Sequence, residues 1–222
     1  MGERAGFLDG EFGAVLRFAG EFFMNRDPVH ATMGRLARSL QSEGIDYAIV
    51  GGIAMAGLGL VCVTQGVDVL LTPDGLRRFA EQAHRLGYAP AFPGAHKTII
   101  DVETRVRVEV LTTGEYPGDG RAKPVAFPDP AVASTEIEGV RIITLEKLIE
   151  LKLASGTSAP HRLRDLADVQ DLIAALHLPA DFADRLDPSV RASFLDRWKA
   201  SQSAPSGEQS VFCRHSKASM SI

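Results

Sequence analysis

Val50-Gly51-Gly52 and, after a short spacer, Thr64-Gln65-Gly66-Val67-Asp68-Val69-Leu70 are the two pieces of sequence that decide the fold. Ile45 to Val50 is short, apolar and β-prone, and reads as a buried strand. Gly51-Gly52 marks a turn, and Ile53 to about Leu60 a short helix. A strand that ends in Gly-Gly before a helix exposes backbone N–H groups where donors and dipole both favour an anion. Glycine suits that place because a side chain would block close approach. Val67 to Leu71 is the next strand, and Asp68 sits inside it, where an unpaired carboxylate is costly. A plain turn that binds nothing is the alternative reading of the two glycines.

Working outward, Phe12 to Phe23 and Pro28 to Ser42 have helical periodicity, and Gly44 closes the second helix. Thr72-Pro73-Asp74 starts a helix that ends by Gly87. Lys97 to Val102 and Arg105 to Leu111 are strands. In the second, Val106, Val108 and Val110 alternate with Arg105, Arg107 and Glu109. Two carboxylates, Asp68 and Glu109, near a phosphate-binding turn suggest a divalent metal holding a nucleotide. The alternative is that Glu109 pairs with Arg105 or Arg107 on a solvated sheet face. Pro117 to Pro130 is a linker or wrap-around loop, and a hairpin is expected at Glu138-Gly139. Helices follow over Leu145 to about Ala154, Arg162 to about Leu176 and Pro188 to Lys199. From Ser201 onward the chain has no period and reads as disordered.

Of 222 residues, 45% are hydrophobic, enough for one core, and the net charge of −4 excludes a bulk nucleic-acid binder. Two cysteines, Cys62 and Cys213, exclude a disulfide framework or a cysteine-rich zinc site. No charge occurs from Tyr47 to Val67, but five glycines interrupt that stretch and no Lys or Arg flanks it closely, so a membrane span is rejected. The start lacks the apolar run of a signal peptide, and the expected location is the cytoplasm.

The late helices hold a second constellation. At about 100° per residue, Lys152 falls between Leu148 and Ile149 on the helical wheel, within the apolar stripe. On the next helix Leu163, Leu166, Val169, Ile173 and Leu176 form the stripe, with Arg162 inside it, Asp165 at its edge and Asp168 further round. An ion pair between packed helices, with Asp165 as first partner of Lys152, stands beside a functional role.

Together these residues resemble nucleotidyltransferases with the polymerase-beta-like fold. Their pattern is Gly-Gly or Gly-Ser, a spacer, then Asp-x-Asp on a strand, here Gly51-Gly52 and Gly66-Val67-Asp68 with Thr64 two residues before. Val106 to Leu111 resembles the strand of the third carboxylate, with Glu109 in that position. Leu145 to Leu153 and Arg162 to Val169 resemble the Lys and Arg-x-x-Asp elements of AbiEii-type toxin nucleotidyltransferases. Three departures stand out: Gly66 replaces the first Asp, Cys62 stands where many members carry a basic residue, and Glu109 replaces the usual Asp.

The resemblance implies an α/β (α+β) fold with a small mixed sheet and flanking helices. The expected parts are an N-terminal helical segment over 1–43, a nucleotidyltransferase-like core over 44–116, a linker, hairpin and helical module over 117–200, and a tail over 201–222. The implied activity is metal-dependent transfer of a nucleoside monophosphate from an NTP to an acceptor hydroxyl on RNA, a small molecule or a protein. A toxin role beside an antitoxin partner goes with it. Asp68 and Glu109 would hold Mg²⁺, or Mn²⁺; Gly51, Gly52, Thr64 and Arg162 would hold the nucleotide. Asp68, Glu109, Lys152 and Asp165 would form the catalytic set, with Asp101 a possible substitute acid. The loss of the first Asp supports the alternative, a catalytically inactive copy that binds nucleotide or a partner protein.

Overall fold

The computed structural model describes residues 28–58, 60, 62–203 and 213–214. The helix expected over Phe12 to Phe23 lies outside them. Helix α1 spans Pro28–Ser42 and buries Val29, Met33, Leu36, Ala37 and Leu40, the residues of its apolar period. Gly44, at φ +61°, ends it as expected.

Strand β1 (Tyr47–Val50), helix α2 (Gly51–Gly57), the short strand β2 (Cys62–Val63) and strand β3 (Gly66–Leu71) follow. Helix α3 (Pro73–Gln82) starts at Thr72, whose hydroxyl accepts from the Gly75 N–H at 2.9 Å. Then come β4 (Tyr88–Pro90), β5 (Thr98–Asp101), β6 (Arg107–Thr112) and the hairpin β7 (Ser134–Ile137) with β8 (Val140–Ile143). Glu138 and Gly139, both at positive φ, make that hairpin's turn as the sequence predicts.

The chain forms a mixed α/β fold, a seven-stranded sheet in the order β4-β5-β6-β3-β1-β8-β7 flanked by helices. Parallel pairs β3–β6 and β1–β8 sit among antiparallel neighbours. Helices α4 (Leu145–Ser158), α5 (Leu163–Ala175) and α6 (Pro188–Gln202) complete the body. Buried apolar side chains from Val29 to Phe194 form one cluster, so the late helices share the core of the sheet. Ser201 and Gln202, expected in the tail, close α6, and strand β9 (Cys213–Arg214) pairs with β2 in parallel. The proline-rich segment wraps back: the Lys123 ammonium donates to Pro117 O at 2.5 Å and to the Ser158 hydroxyl at 3.0 Å. No helix among the described residues is long and apolar enough to cross a membrane.

Asp101 ties α1 to the sheet. Its carboxylate is 1% exposed, accepts from Arg35 Nη2 at 2.6 Å, and accepts from the backbone N–H groups of Glu103 and Thr104 in the turn after β5. Thr98 pairs with Glu109 in register, so Asp101, an odd step along β5, projects from the opposite face of the sheet. It is therefore not a substitute acid for the Asp68–Glu109 pair. Asp101→Asn keeps an acceptor for the turn but removes the charged partner of Arg35. It should lower stability in urea by about 1.5–3 kcal/mol; an unchanged midpoint would show that this link does not hold α1.

Candidate functional site

Strand register builds the site. Asp68 on β3 lies directly opposite Glu109 on the parallel strand β6, and opposite Val50 on β1. Two residues earlier Gly66 lies opposite Arg107. With period-two alternation all four side-chain positions share one face. That face is the less covered one: in β6 Arg107 is exposed and Glu109 half-buried, while Val108 and Val110 point into the core. Asp68 is the only half-buried residue of β3.

Glu109 already has partners. Its carboxylate accepts from the Thr98 hydroxyl at 2.9 Å and pairs with Arg107 Nε. Of the two readings of Glu109 drawn from the sequence, the pairing with Arg107 is present. Thr64 is engaged locally, its hydroxyl donating to Gly66 O at 2.9 Å at the start of β3.

The Gly-Gly turn is shaped by Asp68. Gly51 sits at φ +68°, and a Cβ placed on it would lie 2.2 Å from Asp68 Oδ2. Val50 is the N-cap of α2 and offers no side-chain oxygen to the first turn. Gly51 is half-buried and Gly52 buried. The glycine at 51 thus answers both a left-handed backbone and a carboxylate against its α-carbon. Gly51→Ala should destabilise by about 1–3 kcal/mol from backbone strain, plus the cost of moving Asp68. Adding Asp68→Ala should recover the second part but not the first. Strict additivity in a double-mutant cycle would mean that the two residues do not touch.

The second constellation forms between α4 and α5. The Lys152 ammonium donates to Asp168 Oδ2 at 2.6 Å and Asp165 Oδ1 at 3.1 Å. Ser155 Oγ donates to Asp165 Oδ2 at 2.6 Å, and Arg164 Nε to Asp168 Oδ1 at 3.1 Å. Asp165, the partner expected, is present, but Asp168 is closer and fully buried. The face of α5 is rotated from the expected stripe: Leu163 is 66% exposed, and Asp168, Val169, Leu172 and Ile173 face inward. The buried amine draws Asp168 to the interior, which an apolar stripe cannot register. Arg162 ends a 3₁₀ turn, Pro160–Arg162, and is the N-cap of α5, and its side chain is half-exposed, with Nη1 4.0 Å from Asp165.

Two surface grooves, of about 420 and 340 Å³, lie beside α1 and the turn after β5, and none of Gly51, Asp68, Arg107, Glu109 or Lys152 lines them. Among the described residues no group of three or more His, Cys, Asp or Glu side chains is arranged to hold a metal ion. The donor set at the sheet explains this: two carboxylates, one already paired with a guanidinium, and no side chain at position 66. These residues do not fit the multi-carboxylate metal centre that the sequence resemblance implies.

No protein-family profile matches the chain, and no curated protein matches it in sequence. Among solved structures it is similar to ANT(2")-Ia in complex with adenylyl-2"-tobramycin, with a TM-score of 0.48 and 13% identity over 76% of this chain and 97% of that one. It is also similar to an antigenic nucleotidyltransferase-like protein from Paracoccidioides brasiliensis, with a TM-score of 0.40 and 16% identity over 76% and 93% of the two chains.

Burial disfavours the Lys152 ammonium, but the attraction of Asp168 and then Asp165 outweighs it and raises the pKa above the ordinary lysine value of about 10.4. A raised folded-state pKa means the pair contributes fully below that ordinary value. The contribution is lost as pH rises through the folded value. Lys152→Met should cost about 3–5 kcal/mol at neutral pH by removing the ammonium from the Asp165 carboxylate and the buried Asp168 carboxylate. Lys152→Met/Asp168→Leu should recover most of it. Wild type should lose more stability than the double variant in urea melts between about pH 9 and about pH 12. Equal losses would place the amine outside the buried pair.

Proposed function

We propose that this chain is a nucleotidyltransferase-like protein that binds a nucleotide at the corner formed by Gly51, Asp68 and Glu109, and that metal-dependent transfer has been lost from it. The observation that carries the reading is the register of β3 on β6, which sets Asp68 beside Glu109 and Gly66 beside Arg107. The glycine turn supports nucleotide recognition, in line with the sequence resemblance, while the two acids would repel a phosphate unless a cation stands between them. The missing third carboxylate and the Arg107–Glu109 pair support the loss of transfer, because Mg²⁺ needs a near-octahedral oxygen set with little competition.

The other reading, an active enzyme of the AbiEii toxin type with an RNA, small-molecule or protein acceptor and an antitoxin partner, draws on the likeness of the Lys152 and Arg162-to-Asp168 segments. Burial of Lys152, 6% exposed, against two aspartates favours a structural use for that lysine over contact with a substrate phosphate. Isothermal titration with ATP, GTP, CTP and UTP should show binding of at least one. Asp68→Ala, which removes the brace under the Gly51 turn, should weaken it by about threefold or more, roughly 0.7 kcal/mol. Labelled NTP with total RNA or lysate should show no transfer at any Mg²⁺ or Mn²⁺ concentration. Transfer that Asp68→Ala abolishes would restore the enzyme reading; absence of any nucleotide binding would remove both.

A further inference from the structure

Arg107 stands at the sheet corner on the exposed side of β6. It begins β6, its Cα is the register partner of Gly66, and its Nε pairs with Glu109 two residues on. Glu109 in turn is the register partner of Asp68. Adjacent strands lie about 4.8 Å apart, so a side chain at 66 would stand next to the arginine. Glycine there sets no side chain of its own against the arginine, at a position that is itself buried. The guanidinium is half-exposed, and one contact does not exhaust its five N–H donors.

We propose that Arg107 is the resident cation of the Asp68–Glu109 pair, standing where a divalent ion would, and that the corner meets a nucleotide's phosphate through this guanidinium without a metal. The proposal rests on the nucleotide-binding reading above for its ligand, but not for its claim about cations. Three features act together. The guanidinium holds one of the two carboxylates a metal would need. Its charge repels a divalent ion from the second. Its fork of donors matches a phosphate, as an arginine does and a point-charge lysine does less well.

The same register governs position 66. An aspartate there would face Arg107 directly and pair with it, so restoring the missing carboxylate alone should not create a metal site. Gly66→Asp combined with Arg107→Gln should create one.

Mn²⁺ binding, followed by the loss of the free-ion electron paramagnetic resonance signal, tests the cation claim without reference to activity. Wild type, Gly66→Asp and Arg107→Lys should bind Mn²⁺ weakly and alike. Arg107→Gln should bind more tightly, and Gly66→Asp/Arg107→Gln tighter than wild type by about tenfold or more. Circular dichroism and urea midpoints would confirm that each variant is folded, and Arg107→Lys controls for loss of the charge. Tight Mn²⁺ binding by wild type, or by Gly66→Asp as much as by the double variant, would overturn the proposal.

ATP and UTP titrations in EDTA and in Mg²⁺ test the ligand claim. Equal affinity in the two buffers, lost about tenfold in Arg107→Gln in EDTA, is the expected result. Binding that vanishes in EDTA would overturn the proposal while leaving the nucleotide reading intact. No binding in either buffer, with the Mn²⁺ series as expected, would remove the nucleotide reading and the phosphate part of this proposal, and leave the resident cation standing.

Discussion

Everything at the candidate site depends on the register of β3 between β1 and β6. Side chains on a strand alternate, so a slip of one residue would exchange the faces of the whole strand. In β3 that would turn the carboxylate of Asp68 onto the face that now holds Val67 and Val69, among fully buried apolar side chains. The apolar alternation of Val108 and Val110 in β6 holds the partner strand in the same way. The core therefore selects a register that sets Asp68 beside Glu109, and Gly66 beside Arg107, as a by-product of burying valines. No bond between the acids is required to bring them together.

The same logic works between α4 and α5 with charge in place of alternation. Helix α4 is buried around most of its circumference and carries Lys152 in its middle. Its amine cannot reach water without leaving the helix packing, so the next helix must present acids to it. Helix α5 does so with Asp165 and Asp168, and its orientation follows. Gly156 lets the two helices approach: a Cβ there would fall 2.6 Å from Leu166 Cγ. A buried triad of this kind sets orientation more than net stability, since well-packed apolar replacements of all members would cost little.

These two cases show what could be read from the sequence. Pro28–Ser42, the strand before Gly51 and the Glu138-Gly139 hairpin each carry a complete local signal, a period with a stop or a turn with its glycine, and each appears where expected. Strand β4 was not legible, because three residues ending in Pro90 have no period and become a strand only by pairing with β5. The inward face of α5 was misjudged because Asp168 counts as polar until the lysine that holds it is known. Gly51 was legible as a turn, but its contact with Asp68 joins residues distant in sequence and has no local mark. At the sheet corner the identities of Asp68, Glu109 and Arg107 were on view, and the opposition of Gly66 to Arg107 was not, because it needs the strand register.

That opposition decides which way the corner's electrostatics lean. Gly66 brings no negative charge to the acidic pair, and Arg107 adds one positive charge in the adjoining position. Both features act against a divalent ion. A +2 ion about 5 Å from a fixed guanidinium meets a repulsion of about 2 kcal/mol in a water-like medium and about 7 at an effective dielectric of 20. Arg107 is half-exposed, which favours the lower figure. Even that exceeds what a surface ion pair with Glu109 contributes, at most about 1 kcal/mol. The pairing alone would therefore not keep a metal out: a divalent ion could strip Glu109 from the arginine. Proximity of the charge, fixed by the strand that also carries Glu109, is the stronger term. It persists whether or not the Arg107–Glu109 contact is made at a given moment. The consequence is that charge at position 107, more than the hydrogen bond it forms, determines which ligand the acidic pair can accept.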